Sequence, residues 1–341
     1  MYSMEEAIEA FLREKLSDKE NIRVLDLKDI TTGWETDIHS FTLEYRELRA
    51  DIRKNLILRL YSGKYATMSA KNEFQTLSKL HQINYPVPFP YFCGTESSYL
   101  GRPFIIMERI NGQSLGQRMQ AASRDEFSDL MYLFCNLFNV LHRLNWNTLN
   151  IDFSLDQKNP KHLLLDYLFL FRRNIKHFKK EEFFPIIEWL DDIPEMSAKY
   201  LSIFHGDFHP NNILITAENK TYVIDWHRLS IKDFRIDLGW TLVLCEAHIS
   251  SEFRNDVLNI YQNLYGSKVP NIEYFEVLAC LRRLFDLSVS LSSGVGEMGM
   301  RDETREAMKQ YIPAYRKVLK LVNIKSGLTI PEIEEIITHI T

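Results

Sequence analysis

Cysteine is scarce: 4 in 341 residues, at Cys93, Cys135, Cys245 and Cys280, far apart and mostly in apolar runs. No CxxC pair and no Cys/His spacing of a zinc site occurs. The expectation is therefore buried free thiols in a reducing compartment. No apolar run approaches the roughly 18 residues that a membrane span requires. The opening MYSMEEAIEAFLREKL lacks the pattern of a signal peptide and reads as an amphipathic helix, with Ala7, Ile8, Phe11, Leu12 and Leu16 at helical spacing. A cytoplasmic chain with no membrane partner is expected. Long runs of one charge are missing too. With 41 basic against 46 acidic residues and a net charge of −5, the basic footprint of a nucleic-acid binder is absent. Disorder is excluded by a hydrophobic content of 45%, with 21 Phe and 16 Tyr.

What is there begins with length. A chain of 341 residues exceeds the usual size of one hydrophobic core and predicts two lobes. The densest chemistry lies in Ile203 to Trp226, IFHGDFHPNNILITAENKTYVIDW. Two short apolar runs, Ile213–Thr216 and Thr221–Ile224, flank the polar turn Ala217-Glu218-Asn219-Lys220, which predicts a hairpin. His205, Asp207, His209, Asn211 and Asn212 precede the first run, and Asp225 follows the second. A loop Asp, an Asn five residues later and a second Asp after a hairpin form the set that phosphoryl transfer uses. One carboxylate orients the acceptor hydroxyl, while an amide and another carboxylate hold Mg²⁺. Magnesium is hard and keeps several waters, so these two oxygen ligands suffice beside the phosphates. Asp207 fits the base, and Asn212 and Asp225 fit the metal ligands.

His205-Gly206-Asp207-Phe208-His209-Pro210-Asn211-Asn212-Ile213-Leu214, followed by Ile224-Asp225-Trp226, resembles the signature of the aminoglycoside phosphotransferase and choline kinase-like superfamily. The usual motif has Gly where Asn211 stands. These are small-molecule kinases with a protein-kinase-like fold. The resemblance implies an α+β, bilobal chain: a small sheet-rich lobe at 1–108 that binds the nucleotide, and a larger helical lobe at 109–341, hinged at 108–111. It implies transfer of the γ-phosphate of ATP or GTP, with Mg²⁺, to a hydroxyl of a small molecule. The alternative is a nucleotide-binding pseudokinase or scaffold of the same fold. Acceptor identity, the choice of ATP over GTP and the oligomeric state are not legible.

The resemblance also assigns positions elsewhere. Asp26–Ile30, Ile38–Glu44 and Asn55–Tyr61 read as strands, and Thr31–Asp37 stands where a kinase places its nucleotide-covering loop, though with one glycine it is no Gly-rich loop. Arg59 in the strand Leu56–Leu60 matches the cation facing the phosphates, and by itself reads equally as an edge-strand Arg snorkelling to water. Ser69–His81 reads as a helix whose Glu73 pairs with that cation. Tyr85–Pro90, with three prolines, forms a rigid connection. Pro103–Gly112 leads into the hinge, where Glu108 and Ile110 offer a carbonyl and an N–H to the base edge. Asp237 matches an Asp that holds backbone around the catalytic loop; His205 and His209 are expected to support the same loop.

Beyond the motif, Phe127, Leu130, Met131, Phe134, Leu137, Phe138 and Leu141 form a core stripe ending near His142, a packed helix-end residue rather than a catalytic one. Residues 150–200 alternate aromatic and basic side chains, as amphipathic helices with solvated basic faces do. Residues 241–341 are expected to be helical, ending in a helix begun at Pro331. Glu246, Asp286, Trp240 and Tyr261 either receive a cationic acceptor or are ordinary surface and core.

Overall fold

The computed structural model describes residues 3–30, 36–63, 65–95, 99–149, 159–226, 228–292 and 310–338. Most of the expected nucleotide-covering segment, at 31–35, lies outside the described residues. The chain forms two compact units, Met1–Ser114 with Ile213–His227, and Leu115–Asn212 with Arg228–Thr341.

The first unit is built on an antiparallel sheet of β1 (Glu20–Asp29), β2 (Asp37–Glu47), β3 (Ala50–Leu60), β4 (Pro90–Gly94) and β5 (Phe104–Glu108), in the order β1-β2-β3-β5-β4. Leu48 and Arg49, both at positive φ (48° and 70°), close the β2–β3 hairpin between paired Glu47 and Ala50. Two left-handed residues give the turn the twist that adjacent strands need. Helix α1 (Met4–Lys15) starts in a capping box between Ser3 and Glu6. It buries Ala7, Ile8, Phe11 and Leu12 in a core with Val24, Phe41, Leu43, Leu56, Leu58, Phe104 and Ile106. Truncating Phe11 to Ala would cost about 3–5 kcal/mol, as for other buried aromatics. Helix α2 (Ala66–Gln82) buries Ala70, Glu73, Leu77 and Leu80.

A second sheet in this unit joins β6 (Gly112–Ser114), β8 (Ile213–Thr216) and β9 (Thr221–Val223), in the order β6-β8-β9. Gly112 lies so close to β8 that a Cβ would sit 2.4 Å from the Ile215 carbonyl oxygen. This pairing changes the expected division at 108/109: residues 109–114 and the hairpin group with the first unit, because β6 pairs with β8.

The second unit is mainly helical. It holds α3 (Leu115–Ala121), α4 (Arg124–Arg143), α5 (Pro160–Phe178), α6 (Phe184–Trp189), α7 (Phe234–His248), α8 (Ser251–Tyr265), α9 (Ile272–Ser292), α10 (Ile312–Ser326) and α11 (Pro331–Thr338). A two-stranded ladder pairs β7 (Leu201–Phe204) with β10 (Ser230–Asp233). Ser123 caps α4, and the expected stripe supplies Leu130, Met131, Phe134, Leu137, Phe138 and Leu141 to the core. Helix α5 buries Leu164, Leu168, Phe171 and Ile175 and leaves Arg173, Lys176 and His177 exposed. Helix α7 is buried almost along its whole length, which makes it the axis of this unit. Asp233 caps it and also holds the buried Arg235 guanidinium at 2.7 Å. The four cysteines are free, and three of them are buried. Among the described residues no helix is long and apolar enough to cross a membrane.

Candidate active site

In the second unit the motif forms a loop leaving β7. Gly206 adopts φ +83°, where a Cβ would meet the Phe204 ring at 2.6 Å and Arg228 Cβ at 3.0 Å. Only glycine takes that conformation and that space without strain. Asp237, on the first turn of α7, accepts the His205 N–H at 2.7 Å on one oxygen and the Gly206 N–H at 2.9 Å on the other. His142 stands 3.4 Å from the same carboxylate, and its other ring nitrogen is 2.8 Å from the Tyr261 hydroxyl. His205 Nδ1 accepts the Asp207 N–H at 3.2 Å, which puts any ring proton of neutral His205 on Nε2.

The loop continues under further ties. Thr241 donates to the Phe208 carbonyl at 2.8 Å, Arg282 to that of Gly206 at 3.1 Å, and Asn212 Nδ2 to that of Asp207 at 3.0 Å. Phe208 stacks on Phe138 with centroids 4.1 Å apart. Asn211, at the position usually held by Gly, lays its amide oxygen against Gly116, where a Cβ would be 2.1 Å away.

Every backbone restraint leaves the Asp207 side chain defined. Trp240 Nε1 donates to Oδ1 at 2.9 Å, and His209 Nε2 is 3.5 Å from Oδ2. Burial alone would raise its pKa, but the His209 ring, the Trp240 indole and the Arg282 charge outweigh it and hold the carboxyl well below the usual range. Asp207 is thus an ionised, fixed acceptor. His205 and Asp237 touch the loop's backbone. The His209 ring faces the Asp207 carboxylate rather than backbone.

In the first unit, strand alternation explains Arg59. Leu56, Leu58 and Leu60 enter the core, so Arg59 and Tyr61 share the other face. Strand β3 is central, between β2 and β5, and Arg59 is only 7% exposed. It does not snorkel. Its guanidinium donates to Glu73 at 2.9 Å, Thr36 Oγ1 at 3.0 Å and Asp225 at 2.8 Å. Tyr61 donates to the second Glu73 oxygen at 2.7 Å. Burial works against the Arg59 charge, yet the Glu73 and Asp225 carboxylates raise its pKa overall. Asp225 itself sits at φ 70°, a left-handed conformation that a non-glycine residue keeps only when its surroundings impose it. Trp226 supplies that anchor: it is buried, donates to the Val223 carbonyl at 2.9 Å and packs edge-on to Tyr85. The Val223 N–H reaches the Pro86 carbonyl at 2.7 Å, tying the hairpin to the proline-rich connection.

At the end of β5, the Glu108 N–H donates to the Phe89 carbonyl at 2.8 Å and the Arg109 N–H to that of Asn55 at 3.1 Å. The chain is pinned on both sides just before Ile110. Among the described residues no group of three or more His, Cys, Asp or Glu could hold a metal ion.

The groups considered for a cationic acceptor are already engaged. The Arg282 guanidinium covers the Trp240 ring at 3.7 Å, and its Nε is 4.0 Å from Asp286. Tyr261 is fully buried, and Glu246 accepts the Ser251 hydroxyl at 2.5 Å. Trp240 as the partner of Asp207 was legible in principle, because it lies three residues after Asp237 and so on the same face of α7. Arg282 offered no such signal.

The sequence matches the model of the phosphotransferase enzyme family over residues 40–278. No curated protein matches it. Among solved structures, a Ralstonia eutropha JMP134 protein described as an aminoglycoside phosphotransferase is similar over 94% of this chain and 98% of its own, with TM-score 0.65 and 15% identity. A thermostable mutant of aminoglycoside phosphotransferase APH(4)-Ia, solved with AMP-PNP and hygromycin B, is similar over 94% and 99%, with TM-score 0.59 and 15% identity. APH(2″)-IIa, solved with streptomycin and ATP, is similar over 84% and 91%, with TM-score 0.56 and 18% identity.

Proposed function

The chain belongs to the phosphotransferase enzyme family, and on that premise we propose that it moves the γ-phosphoryl group of ATP or GTP, with Mg²⁺, onto a hydroxyl of a small molecule. The observation that carries this reading is the Asp207 carboxylate, held ionised by Trp240 and His209 on a loop whose backbone Asp237, Thr241, Arg282 and Asn212 pin. A carboxylate of low pKa is a weak base. Its part is to accept the hydrogen bond of the acceptor hydroxyl, aim the oxygen at phosphorus, and receive the proton late, as a loose transition state allows.

The first unit supplies the donor side. Arg59 would hold phosphate oxygens through its planar fork, oriented by Glu73, while the main chain at Glu108 and Ile110 would receive the base edge. The donor chemistry fits Mg²⁺: the Asp225 carboxylate and the Asn212 amide oxygen are hard oxygen ligands, and Asn212 already commits its Nδ2 to the Asp207 carbonyl, which leaves its oxygen for a cation. The ion, when bound, neutralises phosphate charge. His205, His209 and Asp237 keep the loop and its carboxylate in place.

The test is thermal stability with ATP or GTP, with and without Mg²⁺, on wild type and Asp225→Ala. A Mg²⁺-dependent rise in melting temperature that Asp225→Ala loses supports the donor site. Ligand at 100 times its dissociation constant stabilises by about 2.7 kcal/mol. No rise with either nucleotide would leave a scaffold of the same fold as the better reading.

A further inference from the structure

The loop bearing Asp207 is bordered on one side by cations. Arg228 packs its Cβ against Gly206, the residue before Asp207. Arg282 donates to the Gly206 carbonyl and lies on the Trp240 ring, whose N–H binds Asp207. Lys232, on β10, points its ammonium over the rings of Phe204 and Tyr167, at 4.3 and 4.7 Å. It is half-buried, and among the described residues it makes no hydrogen bond and no ion pair. Burial above all, then the Arg282 charge, with a smaller part from Arg228, lower its pKa to about 8 against the opposing pull of Asp237.

Among the described residues, the carboxylates at or beside the loop are engaged elsewhere. Asp237 binds two backbone N–H groups, Asp207 binds Trp240 and faces His209, and Asp286 stands by Arg282. A partly desolvated ammonium without a counter-ion destabilises the fold that holds it. Such groups concentrate where a ligand supplies the missing charge. The same cations repel an aminoglycoside, which carries several ammonium groups, and the cation-receiving faces of Trp240 and Tyr261 are closed.

We infer that the hydroxyl-bearing acceptor carries an oxyanion, a carboxylate or a phosphate, received by Lys232 and Arg228. This rests on the phosphotransferase reading and names its substrate class. The hydroxyl oxygen forms the new P–O bond, the nucleoside diphosphate leaves, and the hydroxyl proton passes to Asp207; the acceptor's anion takes no part in bond making.

Two measurements on the full chain test it. In the first, melting temperature is titrated without nucleotide, at constant ionic strength, with glycerate, glycerol 3-phosphate, inorganic phosphate, glycerol and choline. The anions should raise it in wild type and Lys232→Arg and leave Lys232→Met unmoved; the glycerate and phosphate arms separate the two sources of negative charge. Equal shifts in wild type and Lys232→Met, or no shift with any anion, would overturn the inference. In the second, nucleotide consumption is followed with the same alcohols and with kanamycin. Anionic acceptors should be used at least tenfold better than glycerol, and Lys232→Glu should reverse the order towards choline. Preferred use of choline or kanamycin by wild type would overturn it, as would a Lys232→Met effect confined to the nucleotide's KM. Failure of the phosphotransferase reading looks different: no acceptor is consumed and no Mg²⁺-dependent nucleotide shift appears, while the anion titration still decides whether the oxyanion site exists.

Discussion

Arg59 Nη2 stands 2.8 Å from Asp225 Oδ1, although 166 residues separate the two in the chain. The cation proposed for phosphate and the carboxylate proposed for metal are therefore each other's partner, with Glu73 completing the set at 2.9 Å. On the proposed function, a bound magnesium nucleotide would exchange this internal pair for two external ones. The exchange keeps both groups charged and oriented beforehand, which lowers the ordering cost of binding.

Arg59→Ala should consequently do more than weaken nucleotide binding. It leaves Glu73, 2% exposed, with the Tyr61 hydroxyl and no cation. Breaking a buried pair from one side costs about 3–5 kcal/mol. Urea unfolding of Arg59→Ala and of Arg59→Met/Glu73→Met measures this; the double variant should recover part of the loss. Wild-type stability in the single variant would mean that the pair carries no structural weight.

Asp207→Asn should reduce turnover by about 10²–10⁴-fold, the range for a lost general base, while the melting shift given by magnesium nucleotide persists. Near-normal turnover would remove Asp207 from the mechanism.

Because the Asp207 carboxyl is held low, it stays ionised through the whole range in which an ordinary or raised carboxyl titrates. Its folded pKa lies below its unfolded one, so its stabilising contribution is present at neutral pH and is lost only as pH falls through the acid range. The profile of kcat/KM should show no carboxylate limb between about pH 5 and 7. Trp240→Phe removes one donor and should move any acid limb upward. An acid limb in this window that survives His209→Asn would contradict the assignment.

Lys232 gives the opposite sign. Its pKa falls from 10.5 to about 8 on folding, so between those values the unfolded chain binds more protons and stability rises with pH. Below pH 8 both states are charged and the cost of the buried ammonium is felt in full. Lys232→Met should therefore melt higher than wild type at pH 7, by a margin that shrinks towards pH 10.5. A lower melting temperature for the variant at pH 7 would show that the ammonium is favourably solvated.

The hairpin, the strand carrying Arg59 and the helix carrying Glu73 were legible because each is a local pattern: paired apolar runs about a polar turn, alternation, and helical spacing. Strand alternation also tells that Arg59 and Tyr61 share a face, so their meeting with Glu73 needed only the order of two elements. Asp237 was found through its resemblance to a known motif, and the structure puts its two oxygens on successive backbone N–H groups. What stayed hidden depended on side chains meeting across long stretches of chain. Nothing in the sequence tells that the Trp240 ring is covered by Arg282, or that Lys232 lies over Phe204 and Tyr167. The grouping of the hairpin with the first unit was missed for the same reason, since Gly112–Ser114 is three residues long and carries almost no strand signal of its own.

The chain passes from one unit to the other after residues 114, 212 and 227. A single recombination event with a related gene cannot therefore exchange either unit whole. A fragment ending at Ser114 would leave β6 without β8 and Arg59 without Asp225. Single substitutions escape that constraint: Arg228 and Lys232 follow the hairpin within a few residues, and a change at either leaves these boundaries and the loop that bears Asp207 intact.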